Sequence, residues 1–212
     1  MMSIALCIVI ILVIVWVLSQ TSANKSTLYK QHCSDIDDRC YPIVAKFDTD
    51  TFDGATDLLA HLNLFSLSVI KHMRNKYLWH DHPDKYRTKM ARNILRHYDP
   101  DAIIENNPSG SVNTSYVEDK GKILAICLRE KISGTNRLHK QHELEFVVLH
   151  ELAHLTNMTP DHGDEFWKDF KVLTHEAAEI GIHNPVNYYI NPFNYCSVHV
   201  DYNPYYDKTI KI

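Results

Sequence analysis

Hydrophobic and polar positions divide the chain into unlike parts. Residues Met1 to Leu18 carry no charged side chain, and Ile4 to Leu18 are almost purely aliphatic. Eighteen helical residues rise about 27 Å, close to the roughly 30 Å hydrocarbon core of a bilayer. The pattern predicts a transmembrane signal anchor over residues 1–23. The alternative is a cleaved signal peptide, with Thr21 and Ala23 before the cut and a secreted body. Residues 24–56 read as a polar stalk with short extended pieces such as Tyr41 to Phe47. From Asp57 to Leu78, apolar residues Leu58, Leu62, Phe65, Val69, Met73 and Tyr77 recur at spacings of three and four, which predicts a helix. His80-Asp81-His82-Pro83 ends it, and a second helix is expected from Pro83 or Asp84 to Tyr98.

The remaining pattern mixes strands and helices. Thr114 to Val117 and Lys122 to Arg129 flank Asp119-Lys120-Gly121, which predicts a hairpin. Long helices follow over about Gln141 to Asn157 and Asp164 to Ile180, the second ending at Gly181. The tyrosine-rich tail has Asn-Pro steps at Asn184, Asn191 and Asn203. It reads as an extended wrap, with a short strand near Cys196 to Val200. The expected architecture is α+β, a membrane-anchored body with one domain over residues 57–212.

Composition narrows the function classes. The 212 residues are 45% hydrophobic and 23% charged, which excludes a disordered tail or a collagen-like fibre. A net charge of −4 gives no chain-wide basic footprint for nucleic acid. Locally, eight Lys and Arg between Lys71 and Arg96 face only Asp81 and Asp84. This reads as a solvated helix face, or alternatively as a patch for phosphates or anionic lipid. Lys25 and Lys30 follow the apolar run, so the positive-inside rule leaves the body in the cytosol. Cys33, Cys40, Cys127 and Cys196 allow three disulfide pairings, or stand as buried thiols. Asn24, Asn113 and Asn157 open glycosylation sequons.

Fourteen histidines raise a metal question, and one stretch answers it. In Phe146-Val-Val-Leu-His150-Glu151-Leu-Ala-His154-Leu, the two histidines lie one helical turn apart on one face. That spacing lets both imidazoles reach one Zn²⁺, with Glu151 beside the open position as general base. The third ligand is expected to be His162, presented after Pro160-Asp161 breaks the helix and before Gly163. Glu176 on the next helix is the alternative, and Glu179 a weaker version of it. His80 and His82 are read as a polar loop, with a second metal site as the alternative.

His150-Glu-Leu-Ala-His154, a loop, and then His162-Gly-Asp-Glu-Phe166-Trp167 resemble the WLM and SprT-like zinc metallopeptidases. Pro185-Val-Asn-Tyr, Asn194-Tyr-Cys196 and Ile126 to Glu130 resemble WLM-like proteins of large DNA viruses. The resemblance covers about residues 95–205. It implies a zincin-like minidomain, one Zn²⁺ held by His150, His154 and His162, and peptide hydrolysis with Glu151 as base. Some such proteins act on DNA–protein crosslinks; this chain differs in its apolar N-terminus and its lack of a recognisable DNA-binding module. Tyr195 and His199 are candidate oxyanion stabilisers. Phe166 and Trp167 are expected to pack under the metal helix, and Asp161 or Asp164 to orient a ligand imidazole. The strand Lys122 to Arg129 is expected to pair with an extended protein or peptide substrate. Two rival readings are a non-catalytic membrane protein with structural zinc, and a crosslink protease that touches nucleic acid through the basic helices.

Overall fold

A computed structural model describes residues 10–14, 28–79, 82–107, 114–130 and 136–212. Residues 10–14 are helical and exposed. The rest of the expected anchor, His80, and the sequons at Asn24 and Asn113 lie outside the described residues. Among the described residues, no helix is long and apolar enough to cross a membrane.

The expected stalk requires correction. Strands β1 (Tyr29–Cys33) and β2 (Cys40–Val44) pair antiparallel, from Tyr29 opposite Val44 to Cys33 opposite Cys40, and a Cys33–Cys40 disulfide closes the turn. Tyr41, Ile43 and Val44 are buried in the core. Tyr41 and Ile43 share one face of β2 and adjacent Val44 takes the other, a pattern too short to stand out within a polar segment, yet it supplies the apolar surface that the hairpin buries. Helix α1 (Phe52–Tyr77) begins five residues before the apolar pattern suggests, because Phe52 and Ala55 also bury. Helix α2 (Lys85–His97) is N-capped by Asp84, whose carboxylate accepts the Arg87 N–H at 2.9 Å.

The body is α+β. Strands β3 (Ile103–Glu105), β4 (Tyr116–Glu118) and β5 (Ile123–Ile126) form a sheet in the order β3-β5-β4. β5 pairs parallel with β3 and antiparallel with β4. The β4–β5 turn uses positive φ at Asp119, Lys120 and Gly121. Only glycine fits the last position, since a Cβ there would stand 2.0 Å from the His97 carbonyl oxygen.

Helices α3 (Gln141–Asn157) and α4 (Asp164–Glu179) fall where the periodicity places them. The tail contributes an antiparallel pair, β6 (Phe193–Tyr195) and β7 (Val198–Val200). A Cys127–Cys196 disulfide ties this pair to the end of β5. Further on, the buried Lys171 ammonium donates to the carbonyls of Asp207 and Ile210 at 2.5 and 3.0 Å, fastening the last residues to α4. A buried ion pair locks the hairpin to the sheet: Arg129 Nε donates to Glu105 Oε1 at 2.7 Å, and Glu105 Oε2 accepts the Val44 N–H at 2.8 Å.

Candidate metal centre

α3 is apolar nearly all round, with Leu144, Phe146, Val148, Leu149, Leu152, Ala153 and Leu155 buried. A helix wrapped in this way fixes the direction of the polar side chains it does carry. His150 and His154 project from it with ring centroids 5.2 Å apart. After Asn157 the chain reverses through Met158 in the left-handed conformation, φ 63°. The loop that follows delivers His162, and Gly163 then caps α4.

Three imidazole nitrogens converge as a result. His162 Nε2 lies 3.1 Å from His150 Nε2 and 3.2 Å from His154 Nε2. Two ligands at about 2.05 Å from one tetrahedral ion stand about 3.3 Å apart, so the spacing and the all-imidazole donor set fit Zn²⁺. Phe166 forms the floor, its ring 4.5–4.8 Å from all three imidazoles, as expected. Trp167 instead lies at one side, 6.0 Å from His162 and 5.2 Å from Tyr202.

Electrostatics keep the imidazoles neutral, which is the ligating form. Burial, with the neighbouring His154 and His162, brings His150 down to about 3. Burial also lowers His154 and His162, the latter against an opposing pull from Asp161. His154 Nδ1 lies 2.9 Å from the Thr159 carbonyl oxygen. A carbonyl only accepts, so Nδ1 carries the proton and Nε2 keeps its lone pair for a metal. Among the described residues this carbonyl, rather than Asp161 or Asp164, hydrogen-bonds a ligand imidazole. Glu151 is buried, and burial alone pushes its carboxyl up to about 8. A cation at the adjacent imidazoles would reverse that shift.

A cavity of about 830 Å³ opens over the three histidines and Glu151. Thr114 to Val117 of the β4 segment line one side, and Val198 to Tyr202 of the tail another. Both oxyanion candidates line this cavity. Tyr195 is buried, its hydroxyl 2.5 Å from Ser115 Oγ, which in turn accepts the Cys127 N–H at 3.0 Å. Burial raises the Tyr195 phenol, and the charge of Glu151 adds to this. His199 is exposed and its Nδ1 lies 3.0 Å from Asn194 Oδ1.

Several expectations need correction. The strand within Lys122 to Arg129 cannot take a substrate strand, because β5 already has a partner on each side. Among the described strands of this sheet, β4 has the free edge that borders the cavity. Glu176 does not join the histidines. It sits under α1, where it accepts from Tyr77 at 2.5 Å and Lys76 at 2.9 Å, with His72 Nε2 at 2.8 Å. Burial opposes its ionisation, but hydrogen bonds from Tyr77, Lys76 and His72 outweigh that and hold it below the ordinary carboxylate range. Glu179 is also engaged by Lys76, at 2.5 Å, so an ammonium already fills the cation position there. The basic stretch is partly neutralised within the protein. Lys76, Arg87 and Lys89 pair with Glu176, Asp84 and Glu165. His82 packs edge-on against Tyr77 and Trp79.

Comparison with known proteins returns viral relatives. The chain is 35% identical over 99 residues to the uncharacterized protein R325 of Acanthamoeba polyphaga mimivirus, which covers 47% of this chain and 49% of the relative. It is 31% identical over 75 residues to the uncharacterized protein 136R of Invertebrate iridescent virus 6, covering 35% and 41%. The chain thus spans about half the length, or less, of these relatives. No protein-family model matches it, and no solved structure does.

Proposed function

We propose that this chain is a zinc-dependent peptidase with a zincin-like catalytic domain. The observation that supports it most directly is the convergence of three neutral imidazole nitrogens beside one buried carboxyl group, at the base of an open cavity. His150, His154 and His162 would hold one Zn²⁺, which when bound supplies a Lewis acid and lowers the pKa of a water toward about 7. Three protein ligands favour a catalytic over a structural site, since structural zinc normally has four.

The chain's own residues then divide the work. Glu151 takes a proton from the attacking water as its oxygen bonds to the scissile carbonyl carbon. The same carboxyl hands that proton to the leaving nitrogen as the C–N bond breaks, giving a new carboxylate and amine. Tyr195 faces the negative oxygen that develops on the carbonyl, and Ser115 holds its hydroxyl in place. The free edge of β4 pairs with the extended substrate, fixing the scissile bond relative to Glu151. Thr156 and Tyr86 hydrogen-bond the buried Asp169, bracing α4 against α3 so that His162 keeps its place.

Two disulfides favour an oxidising compartment or one reached by export. That setting is compatible with the apolar N-terminal run serving as anchor or cleaved signal. It opposes the cytosolic orientation suggested by Lys25 and Lys30.

The test measures zinc content and casein cleavage of the full chain, wild type and Glu151→Gln. One zinc in both, with cleavage falling at least about 10²-fold in the variant, is expected from the loss of a general base. Absence of zinc from the wild type refutes the proposal.

A further inference from the structure

The turn after α3 carries three features that the catalytic reading leaves unexplained. Met158, a residue with a Cβ, adopts φ 63°, a conformation unfavourable for most side chains. Asn157 and Thr159 flank it, and together they spell a glycosylation sequon. Finally, Asn157 Nδ2 is buried without a hydrogen-bond partner, although a buried amide ordinarily finds one.

One geometric fact connects them. The Asn157 side-chain oxygen accepts both the Thr159 N–H, at 2.9 Å, and the Thr159 hydroxyl, at 3.0 Å. A backbone N–H can only donate, so the atom facing it is the oxygen and the amide nitrogen must point the other way, into the protein. The two bonds span Met158 and hold the turn closed, as an Asx turn does. The Met158 N–H meanwhile donates to the His154 carbonyl at 3.0 Å, fixing where the turn leaves the helix. Held at both ends, Thr159 presents its carbonyl oxygen to His154 Nδ1 at 2.9 Å.

We propose that Asn157 is a positioning residue for the metal centre: by locking the turn through Thr159, it sets the tautomer and ring angle of His154. The inference rests on the zinc-site reading above. It also reassigns the sequon. The nitrogen that would carry a glycan is buried, and the hydroxyl of Thr159 is spent on the same side chain. Asn-Met-Thr serves the metal here, rather than a sugar. The strain at Met158 is the cost of a reversal tight enough to bring a backbone carbonyl under the second ligand of the motif.

The test uses the full chain and two readouts. Zn²⁺ affinity is measured by competition with a chromophoric chelator, and the His154 tautomer by ¹⁵N NMR of the metal-free protein. Wild type is expected to show a single Nδ1–H tautomer. Asn157→Ala is expected to bind Zn²⁺ about 10- to 100-fold more weakly, the range for loss of a supporting partner. It is also expected to show a mixture of tautomers. Asn157→Asp keeps the oxygen acceptor toward Thr159 and should keep the single Nδ1–H tautomer, although its second carboxylate oxygen takes the buried place of Nδ2 and lowers stability. Met158→Gly accepts positive φ without strain and should stay close to wild type, whereas Met158→Val should behave like Asn157→Ala. Asn157→Ala with affinity within twofold of wild type and an unchanged tautomer would overturn the proposal. A wild type that binds no Zn²⁺ refutes the zinc site instead. The tautomer comparison still decides the role of Asn157 toward His154 in that case.

Discussion

Replacing Cys127 and Cys196 together by alanine should cost far more than replacing Cys33 and Cys40. The two bridges close loops of very different length, with sequence separations of 69 and 7. In the chain-entropy model a loop of about 70 residues restricts the unfolded chain by about 4.4 kcal/mol at 25 °C, and one of about 8 residues by about 2.5 kcal/mol. Burial widens the gap. Cys127 and Cys196 are almost fully buried, so their truncation also removes packing, whereas Cys33 and Cys40 are exposed. The assay is equilibrium urea unfolding of the metal-free protein followed by tryptophan fluorescence, comparing extrapolated free energies because removing a crosslink also alters the slope. With a slope of about 2.5 kcal/mol per molar, the long-loop variant should unfold about 2 M earlier than wild type. The long-loop variant should also lose activity, since the bridge holds the residue next to Tyr195. An equal or smaller loss than for Cys33 and Cys40 would refute the reasoning. It would mean that the tail is held by its other contacts and that the long loop is already restricted in the unfolded chain.

Three other outcomes follow from the site and its supports. Arg129→Met should destabilise the protein by about 3–5 kcal/mol in the same urea assay, because it leaves the buried Glu105 carboxylate without its guanidinium; burial already raises Glu105 despite Arg129. Tyr195→Phe should leave zinc content unchanged and lower the rate of peptide cleavage about 10²-fold or more, the usual cost of one oxyanion donor; an unchanged rate removes Tyr195 from the mechanism. The third concerns pH: His150 titrates near 3 in the folded metal-free protein against 6.5 in an unfolded chain, so the unfolded state takes up the proton first. The stability this contributes is complete above about pH 6.5 and is lost as pH falls toward 3, and His150→Phe should flatten that limb of an acid titration followed by circular dichroism.

Legibility in the sequence followed the range of the interactions involved. α3 and α4 were readable because a helix repeats its pattern over four turns. His162 was readable because Pro160-Asp161 and Gly163 mark a helix break around it, although the reversal itself falls earlier, at Met158, where no glycine signals it. The first hairpin was not, since its buried face comes to Tyr41, Ile43 and Val44, and what makes them core is α1 and Glu105, far along the chain. β3 has only three residues and depends on a parallel partner beyond a long connection. Glu176 occupied a plausible ligand spacing, but three partners about 100 residues earlier claim it. Ser115 and Thr159 carried no signal at all, because one acts through its contact with Tyr195 and the other through a backbone carbonyl that every residue possesses.

Among the described strands the outer edge of β4 has no partner, and this has a consequence for what the proposed enzyme can attack. That edge borders the cavity over the three histidines, so a strand added to it runs past the proposed metal centre. Only a stretch of chain that has surrendered its own backbone hydrogen bonds can slide in and exchange them for those of the strand. The cleft would therefore sort proteins by their state of folding before it sorted them by sequence. A native globule would be refused and the same polypeptide, locally opened, accepted. Cleavage of a given target should then track how often that target opens, so that the stability of the victim, as much as any recognition signal, sets the rate at which it is destroyed.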